Sequence, residues 1–162
     1  MMCNQDAMSR LRHRKMVLPA LFLRACRSRM FRASVADLTG HLTGGGLLAR
    51  TLALRWALRR AVLRDDEKFV GLLLPPSVGA VVANAAVSLD RRVAVNLNYT
   101  LSGGALNAAV AQCGIRHLLT SRKTVQHGNL DPHAKVVFLE DVLEDVAEVA
   151  TLTDWITSAF QA

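Results

Sequence analysis

Three polar side chains follow one predicted strand and form the best candidate binding patch in the sequence. Asn96, Asn98 and Tyr99 come directly after the apolar segment at 92–95, in the run RVAVNLNYT at 92–100. Amide and phenol groups both donate and accept hydrogen bonds, and open α/β sheets bind ligands at the carboxyl ends of their strands. The alternative interpretation is structural, because Asn side chains also stabilise turns by bonding nearby backbone groups.

Other residue types that could do chemistry favour structural roles. The glycine-rich run GHLTGGGLL at 40–48 lacks the Lys and Ser or Thr that a phosphate-binding loop places after its last glycine, so we predict a flexible turn before a helix. Cys113 falls at a predicted helix C-terminus, where the dipole disfavours a thiolate, and we expect a buried structural cysteine. No His pairs at i, i+4 with another His or Cys on a predicted helix, so we expect loop and surface histidines and no metal site. These histidines are His13, His41, His117, His127 and His133.

Alternating apolar patterns predict the elements that would position the patch. The predicted elements are a short helix from Pro19, a hairpin at 35–42 turning at Thr39 and Gly40, a helix at 46–64, strands at 69–74, 92–95, 115–120 and 135–140, and helices at 78–89 and 103–113. Ser77 and Ser102 can cap the last two helices, and Gly114 can end the second of them. Strands separated by helices favour a mainly parallel sheet in a three-layer α/β lobe.

Two of these helices carry apolar residues over a wide arc. In the helix at 78–89 we expect one apolar face and an opposite face of small residues that allows close packing. The apolar face consists of Val78, Val81, Val82, Ala85 and Leu89. The helix at 46–64 has two apolar stripes, so we expect it to be covered on more than one side. Its second stripe consists of Leu48, Leu52, Trp56 and Leu63.

The excess positive charge of the chain lies at its beginning. Residues 1–32 hold eight Arg and Lys and one Asp, a net charge of +7 that equals the charge of all 162 residues. Such an arm can contact nucleic acid or an anionic membrane surface, and the alternative is a solvated leader. An export signal is disfavoured because its apolar run is short and contains Pro19. Three widely spaced cysteines favour the cytoplasm, and no apolar run reaches the length of a transmembrane segment.

Three runs, in the right order along the chain, resemble the opening of the AMP-forming acyl-adenylate synthetases. They are FVGLLLPPSVG at 69–79, VAVNLNYTLS at 93–102 and IRHLLTS at 115–121. They are most similar to the acyl-CoA and acyl-acyl-carrier-protein synthetase branch. The resemblance implies the first part of the adenylate-forming N-terminal domain. It also implies a ligase of fatty acid metabolism, which converts ATP and a fatty acid into an acyl-adenylate and then passes the acyl group to a thiol of CoA or a carrier protein.

The sequence departs from the family pattern at several places. Gly44 and Gly46 stand where the family has an aromatic and an acidic residue, and Gly103 and Gly104 stand where acidic residues usually begin a helix. The run DRR at 90–92 replaces a usual glycine. The Ser/Thr/Gly-rich phosphate loop that ends in Pro-Lys-Gly and the family's catalytic lysine do not occur, so no catalytic, cofactor-binding or metal-binding residue of the family can be placed on this chain.

These observations predict a truncated or split AMP-dependent ligase that is inactive alone. We expect a basic leader at 1–17, an α/β lobe at 18–145 and a helical tail at 146–162. ATP and magnesium are expected of the full-length family and not of this chain alone. The expected partners are the missing remainder of the synthetase or a second copy of this chain, with anionic contacts through residues 1–32. The alternative is a non-catalytic interaction module with a basic arm.

Overall fold

The computed structural model describes residues 17–38, 40–100, 103–125 and 134–142. Residues 1–16 of the predicted leader, Thr39 of the predicted turn, the Ser102 cap and the predicted tail at 146–162 lie outside the described residues. The helices are α1 (Leu18–Ser28), α2 (Gly44–Ala57) with a π-helical continuation (Leu58–Val62), α3 (Val78–Leu89), α4 (Gly103–Cys113) and α5 (Arg122–Val125). The strands are β1 (Ala33–Asp37), β2 (Gly40–Thr43), β3 (Phe69–Leu73), β4 (Val93–Asn96), β5 (His117–Thr120) and β6 (Lys135–Phe138).

A four-stranded parallel sheet forms the centre of the molecule, as the alternating pattern predicts. Its strand order is β4-β3-β5-β6, and its register pairs Leu72 with both Asn96 and Leu119. β1 and β2 form a separate antiparallel hairpin. Each of β3 and β4 is followed by a helix before the next strand. The chain therefore has the α/β fold expected from the sequence.

Apolar side chains cover both faces of the sheet and give the three layers. On one face, Val70 and Leu72 of β3 pack in a cluster with buried residues of α1, α2 and α3. On the other face, Leu73 and Leu118 pack against α4. Strand residues alternate between the two clusters because successive side chains of a strand point to opposite faces.

The glycine-rich run begins helix α2 and is not a flexible turn, which corrects the sequence prediction. Thr43 caps the helix by accepting a hydrogen bond from the N–H of Gly46 at 3.1 Å. The N–H of Gly44 donates to the carbonyl oxygen of Arg29 at 2.9 Å, and that of Gly45 donates to the carbonyl oxygen of Met30 at 3.0 Å. Unpaired N–H groups at the start of α2 thus satisfy carbonyls just beyond the end of α1. This requires backbones to approach so closely that the position of Gly44 excludes a side chain.

The buried face of α3 combines residues of both predicted faces, since Val82 belongs to the apolar face and Ala83 and Val87 to the small-residue face. In α3 the buried residues are Val82, Ala83, Ala86 and Val87, whereas Val81 is 40% exposed. Small residues are buried on this face because they allow α3 to lie close to its neighbours. On α2, Leu52 and Trp56 are 43% and 46% exposed. The second stripe is therefore covered only in part among the described residues, since Leu63 is buried and Leu48 packs against the same core cluster.

Helix α3 is fixed at its start by two side chains. Ser77 accepts a hydrogen bond from the N–H of Ala80 at 3.1 Å, as its type predicts. Asp37 of the hairpin accepts one from the N–H of Val78 at 2.8 Å, where a carboxylate also complements the helix dipole.

Among the described residues, no helix combines the length and apolarity needed to cross a membrane.

Candidate functional site

The predicted patch lies where β4 ends, at the carboxyl edge of the parallel sheet. Asn96 is the last residue of β4, and the N–H of Leu97 extends the pairing by donating to the carbonyl oxygen of Leu72 at 2.8 Å. Leu97 is buried, whereas Asn96, Asn98 and Tyr99 are exposed. The three predicted residues therefore lie together at the surface, next to the buried Leu97.

Asn96 forms a reciprocal amide pair with Asn84 of α3. The Nδ2 of Asn84 donates to the Oδ1 of Asn96 at 3.0 Å, and the Nδ2 of Asn96 donates to the Oδ1 of Asn84 at 2.9 Å. Asn84 Nδ2 also donates to the carbonyl oxygen of Ala80 at 3.0 Å. This third bond determines which atom of the Asn84 amide is the nitrogen donor. The reciprocal pairing then determines the orientation of the Asn96 amide.

Asn98 stabilises its own turn, in agreement with the structural alternative. Its Oδ1 accepts hydrogen bonds from the backbone N–H of Thr100 at 2.9 Å and from the Thr100 hydroxyl at 2.8 Å. This is the local pattern that favours Asn in turns. Tyr99 is 48% exposed. Both residues nevertheless line the same open groove, and the turn uses Oδ1 of Asn98 rather than its Nδ2.

The groove lies between α1, α3 and the end of β4 and has a volume of about 710 Å³. Its walls are mostly apolar, with the two paired amides at one side. The lining residues are Leu18, Pro19, Phe22, Leu74, Pro76, Ser77, Ala80, Val81, Asn84, Ala85, Ser88, Leu89, Asn96, Leu97, Asn98 and Tyr99. Its size is typical of small-molecule sites, which occur at such edges of α/β sheets.

Asn84 belongs to the site although the sequence pattern did not predict it there. The available signal was a single amide in an otherwise apolar and small-residue helix, VGAVVANAAVSL. A polar group in such a helix needs a hydrogen-bond partner where it is partly buried. The partner is twelve residues away in sequence, and only the pairing of β3 with β4 brings it near.

A second, charged cavity of about 590 Å³ lies near the amino ends of β3 and β4. At its centre the Asp90 side chain, only 4% exposed, is 3.2 Å from Arg55, 3.8 Å from Arg59 and 2.8 Å from Arg92. Arg92 also donates to the backbone carbonyls of Arg64 and Glu67. The network ties the end of α2 to the end of α3, and its internal pairing indicates a structural role.

His117 is buried and paired, which corrects the prediction of a loop or surface histidine. Its Nδ1 lies 2.8 Å from Oε2 of Glu67, and its backbone N–H donates to Oε1 of the same carboxylate at 3.1 Å. The pair joins the segment before β3 to the start of β5. The neighbouring pair, Asp66 with Arg116, is exposed, and the hydrogen bond from Arg116 lowers the pKa of Asp66.

Among the described residues, the remaining candidates form no reactive centre. His41 is exposed, and His13, His127 and His133 lie outside the described residues. Cys113 is partly exposed rather than buried, because it sits at the edge of the α4 cluster. Cys26 is buried, and desolvation raises the pKa of its thiol. Among the described residues no three His, Cys, Asp or Glu side chains come together as a metal site.

No protein-family profile matches the chain. Solved structures match it closely in shape. The Klebsiella oxytoca NpsA N-terminal subdomain in complex with 3-hydroxybenzoyl-AMSN superposes with a TM-score of 0.71 at 16% identity, over 83% of this chain and 34% of that one. The chain has the fold of the N-terminal part of adenylate-forming enzymes.

Two further structures of this adenylate-forming fold come from acid–CoA ligases. A benzoate CoA ligase from Burkholderia xenovorans LB400 matches with a TM-score of 0.64 at 22% identity, over 80% of this chain and 28% of that one. The Bacillus subtilis O-succinylbenzoate Coenzyme A synthetase, solved with AMP, gives 0.65 at 19% identity, over 76% and 32%. The chain therefore spans about a third of the length of these enzymes. The resemblance stated from the sequence is confirmed at the level of the fold.

Proposed function

We propose that this chain is the N-terminal lobe of an AMP-forming acid–thiol ligase and provides scaffold rather than catalytic groups. The observation that carries this proposal is the likeness to adenylate-forming enzymes over about 80% of the chain. The sequence runs at 69–79, 93–102 and 115–121 support it, because they occur in the family's order. The substrate class that best fits the sequence branch is a fatty acid, with CoA or a carrier-protein thiol as acceptor.

The residues of the lobe do not fit ATP and magnesium. Adenylation develops charge on phosphate oxygens, which enzymes stabilise with cations, metal ions and oriented N–H donors. The groove at the carboxyl edge has no Lys, Arg, Asp or Glu in its lining. The arginines of the charged cavity are centred on Asp90. The phosphate-binding groups must therefore come from residues other than those described.

The test is fatty-acid-dependent exchange of labelled pyrophosphate into ATP. The purified chain alone is expected to give no exchange above the background without enzyme. Exchange should arise when the chain is co-expressed with a polypeptide from an adjacent reading frame that carries the phosphate loop. Robust exchange by this chain alone, lost when its own residues are mutated, would contradict the proposal.

A non-catalytic interaction module is the second candidate, and the exposed arginines favour it. Arg24, Arg27, Arg29 and Arg32 are all exposed, and none forms an ion pair with another described residue. Contact with an anionic surface through residues 1–32 should weaken steeply with salt. Vesicle and DNA binding by the full chain, compared with a variant that carries Gln at these four positions, distinguishes the candidates. Binding that is unchanged in that variant would rule out these four arginines as the contact.

A further inference from the structure

The groove between α1, α3 and β4 is unusual for this protein because its lining carries no charge. A fifth of all residues are Asp, Glu, Lys or Arg, yet none of the sixteen lining residues is charged. An ionised ligand entering the groove would lose part of its hydration and gain no counter-charge there. The lining therefore selects against anions and cations alike.

The groove is nevertheless not purely apolar, because the Asn84–Asn96 pair is incompletely used. Both N–H bonds of Asn84 Nδ2 are occupied, by the Ala80 carbonyl oxygen and by Asn96 Oδ1. Asn96 Nδ2 makes one hydrogen bond, to Asn84 Oδ1, and its second N–H has no partner among the described residues. This N–H of Asn96 is thus an unused amide donor at the groove, and the fixed pairing holds it in place.

We propose that this groove binds an uncharged amphipathic small molecule. Its alkyl or aryl body would lie against Phe22, Val81 and Leu89, and a neutral carbonyl or hydroxyl oxygen would accept the free N–H of Asn96. The volume of about 710 Å³ lies in the range of small-molecule sites, which combine apolar walls with a few placed polar groups. The proposal is independent of the ligase function, whose substrate is an ionised acid at neutral pH.

The first experiment compares three probes that share one aromatic body and differ in charge. Naphthylacetamide, naphthylacetate and naphthylethylammonium are titrated into the full chain at neutral pH, and the naphthyl fluorescence anisotropy is followed. The neutral amide is expected to bind at least about 10-fold more tightly than either ion. Equal affinity for the amide and the acetate would overturn the proposal.

Charge introduced at Val81 provides the second experiment, because this residue lines the groove and is 40% exposed. V81K is expected to lose the amide preference and to bind naphthylacetate better than naphthylethylammonium, and V81D is expected to show the reverse order. This exchange of preference is a signature that a destabilised fold would not produce. Asn96→Leu should weaken the amide several-fold without improving either ion.

Leu52 supplies the matched control, since it is 43% exposed on α2 and does not line the groove. L52K and L52D should leave the affinities of all three probes unchanged. If the Leu52 and Val81 variants behave alike, the probes bind elsewhere and the proposal is wrong. It is also wrong if the groove binds no probe and V81D instead dissociates a dimer seen by light scattering, because a second copy of the chain would then be the occupant.

Discussion

A single methyl group decides whether the first two helices can meet. A Cβ on Gly44 would lie 2.4 Å from the carbonyl oxygen of Cys26 and 2.6 Å from that of Arg29. Both neighbours are backbone atoms, so the clash cannot be relieved by a rotamer change. We expect Gly44→Ala to lower the free energy of unfolding by about 2–4 kcal/mol, measured by urea denaturation followed by circular dichroism.

Gly46 is the internal control for this prediction, because it lies in the same helical turn. Its added Cβ would come no nearer than 3.4 Å, to the Thr43 hydroxyl oxygen. Gly46→Ala should therefore be neutral or stabilise by up to about 1 kcal/mol, since alanine is the better helix former. Similar losses in the two variants would show that helix propensity, and not the approach of α1 to Gly44, determines the effect.

Two positions at which the sequence departs from the family pattern have unusual backbone surroundings or dihedral angles. These are seen only in the structure. The aromatic residue expected in place of Gly44 would collide with the carbonyl oxygens of Cys26 and Arg29 at the end of α1. Arg91 occupies the place where a glycine is usual and has a positive φ of 63°, the left-handed region in which glycine is preferred. The sequence reveals that these positions differ, but the backbone approach and the dihedral angle are three-dimensional quantities.

At the scale of elements, one buried hydrogen-bonded pair connects two segments fifty residues apart. Glu67 accepts hydrogen bonds from the backbone and the ring of His117, and both side chains are almost fully buried. Glu67→Ala would leave a buried N–H and an imidazole nitrogen without partners. We expect a loss of about 2–4 kcal/mol in the free energy of unfolding, again from urea denaturation.

Asp66→Ala is the matched comparison, because Asp66 is the preceding residue and its pair with Arg116 is exposed on both sides. Solvent screens such surface pairs, so the unfolding midpoint should not change measurably. Glu67→Gln should lose less than Glu67→Ala, since the amide oxygen still accepts the His117 N–H. If the Asp66 and Glu67 variants lose stability equally, burial does not determine the strength of these pairs.

The elements themselves were predictable because their signals are local. Strand β3 is a continuous apolar run, Ser77 caps α3 as its side chain allows, and Gly114 ends α4 with a φ of 61°. The buried face of α3 was not predictable. Its residues are apolar or small all round, so periodicity alone does not distinguish the side that packs. The pairing of Asn84 with Asn96 depends on the same missing information.

At the scale of the whole molecule, two surfaces carry exposed apolar side chains close together. On α2, Leu52 and Trp56 lie one helical turn apart, with Arg60 placed 5.2 Å from the Trp56 ring. Around the groove, Leu18 is 66% exposed and Val81 40% exposed. Apolar surface of this kind marks sites that other segments or other molecules cover. The chain spans only about a third of the length of the solved structures it resembles. Those longer proteins therefore contain further segments that are available to cover such a surface.

Self-association of the isolated chain is therefore expected. Its main cause should be the α2 surface, which is formed by Leu52 and Trp56. Trp56 is the largest exposed side chain of that surface, and aromatic residues dominate the energetics of interfaces. Light scattering at increasing concentration should show a rising average mass, and a dye for exposed apolar surface should fluoresce. Trp56→Lys should reduce both signals.

Phe31→Lys serves as the control, because Phe31 is 93% exposed after α1 and belongs to neither surface. It removes an exposed aromatic residue and adds the same charge, so a reduction equal to that of Trp56→Lys would indicate non-specific aggregation opposed by net charge. A monomeric protein that binds no dye and unfolds in one sharp transition would contradict the prediction. Such a lobe would have a closed core despite its exposed leucine and tryptophan, and an independent role as an interaction module would then be favoured over a part of a ligase.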